Sequence, residues 1–354
     1  MKRVFLYAYD RQNLGDDLFV HTITRRYPDV RFYMWSDRKN RKTFASLPNL
    51  KVIDGDSAFV RFLRKIRPSL QYRYRSWLEK RCDAVVYIGG SIFMEYPSWM
   101  QICNWWEYEA QNRPLYVLGA NFGPYHTEAY REKMAEIFGS CQDVCVRDRY
   151  SRELFLNVNT VRRSPDILFS YPIPKCAVKE DQIFVSVINC AGRDERHGLS
   201  QHDARYVANV AALLRRFLDA GRKLVLASFC AEEGDEEGIR KILTAMGCEQ
   251  DPRVRVLHYD GTNAEEITGA IAESGGVIAT RFHAAILAVS ANRPVLPIIY
   301  SDKTKHVLED LGFAGTVYDL RADIDWNQAD MTAADVPAVI GAGHFEKLDE
   351  LLNR

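Results

Sequence analysis

The sequence predicts an α/β protein with two Rossmann-like domains, each built around a mainly parallel sheet. Its 354 residues exceed what one ordinary hydrophobic core requires. Short apolar segments typical of buried strands alternate with longer segments of helical periodicity, as in βαβ units. A proline-containing stretch at residues 164–175 (SPDILFSYPIPK) interrupts this alternation near the middle of the chain. We therefore predict a domain boundary there.

The N-terminal domain, residues 1–172, opens with a strand at 3–9 and a helix at 16–27. Because helices of this length separate the strands, right-handed crossovers and parallel strands are expected. The further predicted strands are residues 30–35, 51–54, 83–88, 115–119 and 144–147. The further predicted helices are residues 99–111, 128–138 and 150–156.

The C-terminal domain, residues 173–335, repeats this organisation. Its predicted strands are residues 183–188, 223–228, 254–257, 277–279 and 294–300. Its predicted helices are residues 202–220, 235–246, 264–273 and 281–291. The remaining residues, 336–354, contain one short helix at 344–352, which we expect to pack on an existing domain.

The composition favours a cytoplasmic protein that binds no nucleic acid. Lys and Arg total 47, as do Asp and Glu, and the pI is about 7.1. The apolar run before Asp10 is too short for a signal peptide or a membrane span. The 8 cysteines are scattered without a C-x-x-C pair, so reduced thiols are expected. Two D-x-D pairs, at residues 54–56 and 323–325, are common loop sequences, and we predict neither a metal nor a bound cofactor.

The segment 275–306 carries the most specific chemistry in the chain. Arg281 and His283 follow a predicted strand at the start of a helix, and Lys303 follows the next strand in the same way. If these strands are parallel neighbours, all three side chains lie at the carboxyl edge of one sheet, where α/β proteins bind ligands. Two cations, a titratable ring and a helix N-terminus suit a small dianion. The alternative is that Arg281 and Lys303 are solvated and His283 packs on the helix.

Polar loops follow other predicted strands. Asn13 and Gly15 tolerate positive φ, and Asp16 or Asp17 could cap the next helix, so this loop is either a substrate contact or a structural turn. Glycines at 89 and 90 allow close approach to the backbone, and Asn121 follows the next strand. These loops contain neither a dinucleotide fingerprint nor a P-loop nor a nucleophile elbow.

Two further arginines are candidate anion ligands. Arg147 follows a strand, and the helix after it could be capped by Asp148 or Ser151, which would leave Arg147 directed toward the space between the domains. The alternative is a structural pair between Arg147 and Asp148. Arg193, in the loop 191–194, is expected at the same sheet edge as Arg281, where it could bind a carboxylate or phosphate.

Residues 59–81 form a basic and aromatic patch in an otherwise neutral chain. Eight Arg or Lys residues and one Glu alternate with Phe, Tyr, Trp, Leu and Ile. This mixture suits an interfacial segment on anionic lipid. The alternative is a solvated helical hairpin bent near Pro68.

Taken in order, these motifs resemble the polysaccharide pyruvyl transferases. The resemblance rests on N-x-G-D-D at Asn13, Gly89-Gly90, G-x-N-x-G-P at Gly119, V-R-D-x-x-S at Val146, Pro165-Asp166, R-x-H-A at Arg281, and P-x-x-x-x-x-Y-x-x-K ending at Lys303. It implies a GT-B-like fold, with two parallel sheets facing across a cleft. The N-terminal domain would then hold a saccharide acceptor and the C-terminal domain phosphoenolpyruvate.

The resemblance also implies roles for individual residues. His283 matches the catalytic histidine, and Arg281, Lys303, Arg193 and Arg147 match donor-binding positions. The acceptor would be a sugar carrying two reactive hydroxyls, either free or linked to lipid at the inner face of the membrane. Two alternatives remain, a nucleotide-sugar glycosyltransferase of the same fold and a noncatalytic sugar-binding assembly protein.

Overall fold

A computed structural model describes residues 1–193, 198–323, 326, 329–333 and 341–353. The chain divides into two compact units. The first comprises Met1–Asp10, Asp16–Tyr171 and Ile340–Arg354, and the second Arg11–Gly15 and Pro172–Val339. Asp194, Asp325 and the predicted domain end at residue 335 lie outside the described residues.

The first unit contains a seven-stranded parallel sheet in the order β3-β2-β1-β4-β5-β6-β7 among the residues described. Its strands are β1 (Arg3–Tyr7), β2 (Arg31–Ser36), β3 (Leu50–Asp54), β4 (Ala84–Ile88), β5 (Leu115–Ala120), β6 (Asp143–Val146) and β7 (Val161–Arg163). Its α-helices are Leu14–Arg26, Ala58–Ile66, Ser69–Glu79, Trp99–Asn112, Glu128–Ser140, Arg149–Glu153 and Glu346–Leu352. Strands β4 and β5 are apolar along their whole length because both are buried throughout.

The second unit contains a six-stranded parallel sheet in the order β10-β9-β8-β11-β12-β13, again within the described part of the chain. Its strands are β8 (Lys179–Ser186), β9 (Lys223–Ser228), β10 (Val254–His258), β11 (Ser274–Ala279), β12 (Val295–Ile299) and β13 (Tyr318–Asp319). Its α-helices are Asp203–Asp219, Asp235–Met246, Ala264–Glu273, Phe282–Ser290 and Asp302–Asp310. The predicted α/β class with two parallel sheets is confirmed.

Each sheet has one position where the strand order reverses. In the first unit this switch point lies between β1 and β4, and in the second unit it lies between β8 and β11. Helices leave the two central strands toward opposite faces there, so a crevice opens at the carboxyl ends of the strands. The residues that follow β4 and β11 are therefore candidates for ligand binding.

The loop Arg11–Gly15 was predicted to belong to the N-terminal domain, residues 1–172. In the structure it belongs to the second unit instead. The backbone N–H of Leu14 donates to the carbonyl of Phe229 at 2.9 Å, and the thiol of Cys230 donates to the carbonyl of Arg11 at 3.6 Å. These bonds hold the loop beside the end of β9.

The C-terminal helix Glu346–Leu352 packs on the first unit. Asp349 accepts hydrogen bonds from Arg26 Nη2 at 2.6 Å and from the Tyr27 hydroxyl at 2.7 Å. Arg162 on β7 donates to the carbonyl of His344 at 2.8 Å. The short helix therefore gains its stability from tertiary contacts, as its length requires.

Residues 58–79 form a pair of helices joined at Arg67 and Pro68, as the hairpin interpretation predicts. In the described part of the chain we find no helix with the length and apolar character needed to cross a bilayer.

Candidate functional site

The switch point of the second unit positions the R-x-H segment. Ser186 ends β8, and its hydroxyl accepts a hydrogen bond from the backbone N–H of Arg281 at 3.2 Å. Its carbonyl accepts from the N–H of Thr280 at 3.1 Å. The Thr280 hydroxyl is 3.0 Å from that of buried Tyr206. These bonds hold the connection between β11 and the helix Phe282–Ser290 at the carboxyl edge of the sheet, as predicted.

Arg281 is buried and held by two carboxylates. Its Nε donates to Asp235 Oδ2 at 2.8 Å, and its two terminal nitrogens donate to Asp235 Oδ1 and to Glu233. Burial alone would lower the pKa of Arg281, but the two carboxylates raise it well above its usual range. The side chain is thus neither solvated, as the alternative proposed, nor presented to solvent as an anion ligand.

Asp235 is the anchor of this arrangement. It is completely buried, and its Oδ2 also accepts from the backbone N–H groups of Phe229 at 2.9 Å and Cys230 at 3.0 Å. The residue begins the helix Asp235–Met246, where a negative charge is favourable. Asp235 therefore orients the Arg281 guanidinium through two parallel bonds of the kind that carboxylates form with arginine.

Arg193 reaches the same carboxylates. Its Nη2 lies 2.6 Å from Glu233 Oε2 and 3.8 Å from Asp235 Oδ1, so its predicted location beside Arg281 is correct. Burial raises the pKa of Glu233, but Arg281 and Arg193 more than offset this effect and hold that pKa well below its usual range. Glu233 therefore stays ionised and neutralises part of the cationic cluster.

Tyr300 and Lys303 complete the edge of the sheet. The Tyr300 ring follows β12 and is buried, with the Arg193 guanidinium 5.5 Å from its centroid. Burial raises the pKa of Tyr300, but Arg193, Lys303 and Arg281 together lower it below its usual value. Lys303 is half-buried in the first turn of the helix Asp302–Asp310. The three cations Arg193, Lys303 and Arg281 and the carboxylate of Glu233 thus act on one phenol. Counting Asp235, which binds Arg281, the cluster has one formal positive charge.

His283 lies in the first turn of the helix Phe282–Ser290 and packs against Gly15. A β-carbon built on Gly15 would lie 1.7 Å from Nδ1 of the imidazole. Gly15 is therefore required for close approach and not for positive φ, which in this loop occurs at Gln12 (φ 49°). The structure corrects the expected reason for this glycine.

Asn13 performs the capping role that was expected of Asp16 or Asp17. Its Oδ1 accepts from the backbone N–H of Gly15 at 3.3 Å, while its Nδ2 donates to Glu233 Oε1 at 3.5 Å. Asp16 and Asp17 lie in the first turn of the helix instead, and Asp17 is buried. Asn13 thereby connects the loop to the carboxylate that holds Arg193 and Arg281.

The motifs of the first unit meet around a different arginine. Arg147 is buried, and it donates to Asp166 Oδ2 at 3.1 Å and to Asn121 Oδ1 at 2.7 Å. Asp148 caps the next helix by accepting from the Ser151 N–H at 2.7 Å, as one of the two predicted caps. The alternative pairing of Arg147 with Asp148 is wrong, because the partner of Arg147 is Asp166. A buried arginine requires a desolvated carboxylate, and Asp166 supplies one with Oδ2 while its Oδ1 accepts from the N–H of Leu168 at 2.9 Å.

Gly90 lies directly against the guanidinium of Arg147. A β-carbon there would lie 2.6 Å from Nη1 and Nη2 of Arg147, and the Gly90 carbonyl accepts from the N–H of Asn121 at 2.8 Å. Gly89, its neighbour, shows only an ordinary contact with Ile92 at 3.4 Å. Gly90 and Asn121, which were expected in ligand-binding loops, thus lie against Arg147.

Sequence reasoning missed Glu233 and Asp235, and it named Tyr300 only within a motif. The signal available was the acidic run after β9 (AEEGD, residues 231–235), since a buried arginine must find counter-charges. Among the described residues no three metal-ligating side chains converge. Of the D-x-D pairs, Asp54 accepts from the N–H of Asp56 at 2.8 Å in a turn.

Comparison with known proteins gives a family and a fold. Residues 13–302 match the family described as polysaccharide pyruvyl transferase. The amylovoran biosynthesis protein AmsJ of Erwinia amylovora is 23% identical over 266 residues, which cover 70% of this chain and 63% of AmsJ. The match therefore spans less than two thirds of that relative's length.

Two solved structures share the fold. The UDP-GlcNAc 2-epimerase of Methanocaldococcus jannaschii has a TM-score of 0.58 at 9% identity, over 99% of this chain and 100% of the epimerase. The UDP-GlcNAc 2-epimerase of Neisseria meningitidis, bound to UDP-GlcNAc, has a TM-score of 0.54 at 11% identity, over 100% of both chains. At these identities the similarity shows the fold alone, which is GT-B-like as predicted.

Proposed function

Because this chain belongs to the polysaccharide pyruvyl transferase family, we propose that it transfers pyruvyl from phosphoenolpyruvate to two hydroxyls of a saccharide. The product would be a pyruvate ketal on an exopolysaccharide or another cell-surface polysaccharide. The observation that carries this proposal is the position of His283, a titratable ring at the switch point of a sheet whose edge also holds Arg193, Tyr300 and Lys303. Acid–base chemistry beside an anion site is what the reaction requires.

The donor is a small molecule with a phosphate and a carboxylate, which together require several charged hydrogen-bond donors. Two helices begin at this sheet edge, Phe282–Ser290 and Asp302–Asp310, and their first N–H groups favour anions. Arg281 donates to carboxylates from all three of its nitrogens, whereas Arg193 donates to Glu233 from Nη2 and its Nε has no hydrogen-bond partner among the residues described. We therefore assign donor binding to Lys303 and Arg193, and we revise the role of Arg281 to that of a positioning residue.

The chemistry assigns His283 two successive roles. As an acid, its ring delivers a proton to the methylene carbon of phosphoenolpyruvate, and the adjacent carbon becomes cationic. One sugar hydroxyl adds to that carbon and gives its proton to the now neutral imidazole, which acts as the base. The bond from this carbon to the phosphate oxygen then breaks, and the phosphate leaves with the bonding electron pair. The second hydroxyl adds to the same carbon, closes the ketal ring and gives its proton to the departing phosphate. An imidazole is suited to these steps because it gives and accepts protons near neutral pH.

The acceptor is proposed to be lipid-linked and reached at an anionic membrane. On the helix Ala58–Ile66, Phe59, Phe62 and Ile66 are 54%, 59% and 60% exposed. Their spacing places them along one side of the helix. Exposed Arg61 and Lys65 lie on the same helix, so apolar and cationic groups occur together as on interfacial helices. The charge complementarity favours a bilayer of anionic lipid.

The test is a reaction of the full chain with phosphoenolpyruvate and a panel of free and lipid-linked oligosaccharides, with phosphate release measured. We expect release only with an acceptor that gains a pyruvyl group by mass spectrometry. His283→Ala should lower turnover by about 10²- to 10⁴-fold and change donor affinity by only a few fold. His258→Ala, whose ring is exposed beside Glu236, is the matched control.

Two outcomes would replace the proposal. Hydrolysis or transfer from nucleotide sugars, without reaction of phosphoenolpyruvate, would indicate a glycosyltransferase. Stabilisation by saccharide alone, with no turnover of either donor, would indicate a noncatalytic sugar-binding protein. Near-parental turnover by His283→Ala would refute its catalytic role.

A further inference from the structure

The helices Ser69–Glu79 and Trp99–Asn112 of the first unit line a cavity. Its volume is about 500 Å³, within the range of roughly 300–1000 Å³ found for small-molecule sites. Three basic side chains and three exposed aromatic rings contribute to its lining: Arg73, Arg75, Lys80, Tyr72, Trp77 and Tyr108. None of these residues belongs to the site of the second unit.

Two of these cations lack an acidic partner among the described residues. Arg73 and Lys80 are exposed, and the side chain of neither forms an ion pair or a hydrogen bond there. Together with Trp77 they follow one face of the helix, because they are spaced by four and three residues. Arg81, which is likewise exposed, lies over the Trp77 ring at 3.9 Å from its centroid. Positive charge and an aromatic surface thus occur side by side.

The two carboxylates in the cavity wall do not cancel this charge. Glu79 is 1% exposed and lies 3.5 Å from Arg75 and 3.9 Å from Arg113, so two cations already compensate it. Burial, followed by the charge of Glu79, raises the pKa of Glu109 to about 7, and this carboxyl group is therefore partly neutral at physiological pH. The accessible charge of the cavity is positive and attracts an anion.

A chain of aromatic rings connects the cavity with the exposed apolar residues of the helix Ala58–Ile66. Phe59 packs edge-on against Tyr74 with 5.3 Å between the ring centroids, and Tyr74 stacks on Trp77 at 6.0 Å. Tyr and Trp side chains favour the level of the lipid head groups, where Lys and Arg reach phosphate. This continuity favours a membrane lipid over a soluble anion as the occupant.

We propose that the cavity binds the head group of a single anionic glycerophospholipid, with its phosphate held by Arg73 and Lys80 and its glycerol and first acyl carbons packed on Trp77 and Tyr108. This lipid is neither the donor nor the acceptor of the proposed reaction. The inference rests on the membrane contact proposed above. It adds a saturable site to an attraction that would otherwise depend on surface charge alone.

The test is calorimetric titration of the full chain at low salt with lipids that stay monomeric, so that no bilayer is required. The probes are dihexanoylphosphatidylglycerol, dihexanoylphosphatidylcholine and sn-glycerol 3-phosphate. We expect the first to bind saturably at one site. The other two should bind at least about fivefold more weakly, because one carries an ammonium group that the cations repel and the other lacks acyl carbons. Arg73→Gln combined with Lys80→Gln should weaken binding of the first probe by about tenfold or more, because charged donors to the phosphate are lost.

The matched control is Arg41→Gln combined with Lys42→Gln, which removes the same charge from exposed residues of the 3₁₀-helix Arg38–Phe44. It should bind like the parent. Equal affinity for all three probes would overturn the proposal, and so would unchanged affinity in the Arg73 and Lys80 double variant.

A second measurement, co-sedimentation with phosphatidylglycerol vesicles, separates this site from the membrane contact. A parent chain that sediments with the vesicles but shows no saturable binding of monomeric phosphatidylglycerol would refute the site and leave the membrane contact standing. Saturable binding of the monomeric lipid by a chain that does not sediment would support the site and refute the membrane contact.

Discussion

The imidazole of His283 occupies the space that the missing side chain of Gly15 leaves open. A β-carbon on Gly15 would lie 1.7 Å from Nδ1, 2.3 Å from Cγ and 2.5 Å from Cε1 of that ring. Atoms of folded proteins do not approach so closely, so the ring and the loop define one another's position. The N-x-G-D-D motif thus supports the R-x-H motif.

Gly15→Ala should displace the His283 ring and reduce turnover by about 10²-fold, the loss that a shift of about 1 Å in a catalytic group can cause. The initial rate of phosphate release from phosphoenolpyruvate measures it. The control is Gly139→Ala on the helix Glu128–Ser140, where a β-carbon meets nothing within 4 Å. Parental turnover by Gly15→Ala would show that the ring position is unimportant.

Arg281→Ala should act first on stability. Removal of the guanidinium leaves buried Asp235 without the cation that binds both of its oxygens, and leaves half-buried Glu233 with Arg193 alone. Breaking a buried pair typically costs about 3–5 kcal/mol. Urea unfolding followed by circular dichroism measures this loss. Arg240→Ala, which removes an exposed pair with Glu237, should cost less than about 1 kcal/mol. An equally small cost for Arg281→Ala would contradict the structural role given to it.

Lys303→Ala should act on donor binding instead. Lys303 is half-buried at the start of its helix, and the loss of a charged hydrogen bond to phosphate or carboxylate costs about 1.5–3 kcal/mol, roughly 10- to 100-fold in affinity. Calorimetric titration with phosphoenolpyruvate measures the change, and Lys305→Ala, exposed on the same helix, is the control. If Lys303→Ala binds phosphoenolpyruvate with the affinity of the parent, other residues must bind the donor.

His344 should make the first unit sensitive to acid. Burial lowers the pKa of this ring from 6.5 to about 3, although its Nε2 lies 2.7 Å from the carbonyl oxygen of Pro165. Between these pH values the unfolded chain binds a proton that the native chain excludes. The stability contribution is therefore present above pH 6.5 and is lost as the pH falls toward 3, by about 2 kcal/mol at pH 5.

Denaturant unfolding at pH 5 and pH 7.5 checks this expectation. His344→Gln should lower stability at pH 7.5 and flatten the dependence on pH, whereas exposed His126→Gln should leave the pH dependence of the parent unchanged. If parent and His344→Gln lose the same stability between the two pH values, the native ring must accept the proton.

Phe62→Ser should weaken binding to anionic vesicles. Partial burial of a phenyl ring in the interface is worth up to about 1.5–3 kcal/mol, so binding should fall by roughly tenfold or more. Co-sedimentation with phosphatidylglycerol vesicles at low salt measures it. Leu156→Ser, a 62%-exposed apolar residue outside the helix pair, should bind like the parent. Equal binding of the parent to phosphatidylcholine vesicles would exclude electrostatic attraction to the surface.

The order of strands and helices could be predicted because it depends on local periodicity. The helices Asp235–Met246 and Ala264–Glu273 begin and end where the sequence pattern placed them. Strands β7 and β13 could not be found, since three and two residues are too few to show an alternation. Arg281, His283 and Lys303 were expected at one sheet edge on the condition that their two strands are parallel neighbours, and the parallel pairing of β11 with β12 meets that condition.

Only the tertiary structure decided which charge meets which. Arg281 binds Asp235 and Glu233, and Arg147 binds Asp166 rather than adjacent Asp148. A desolvated charge selects its partner by distance and burial, and neither property is visible along a chain in which acidic and basic residues are equally numerous. The residue types of the N-x-G-D-D loop suggested a turn. Gly15 leaves space for the His283 ring only because the two segments, which lie far apart in the sequence, meet in the folded protein.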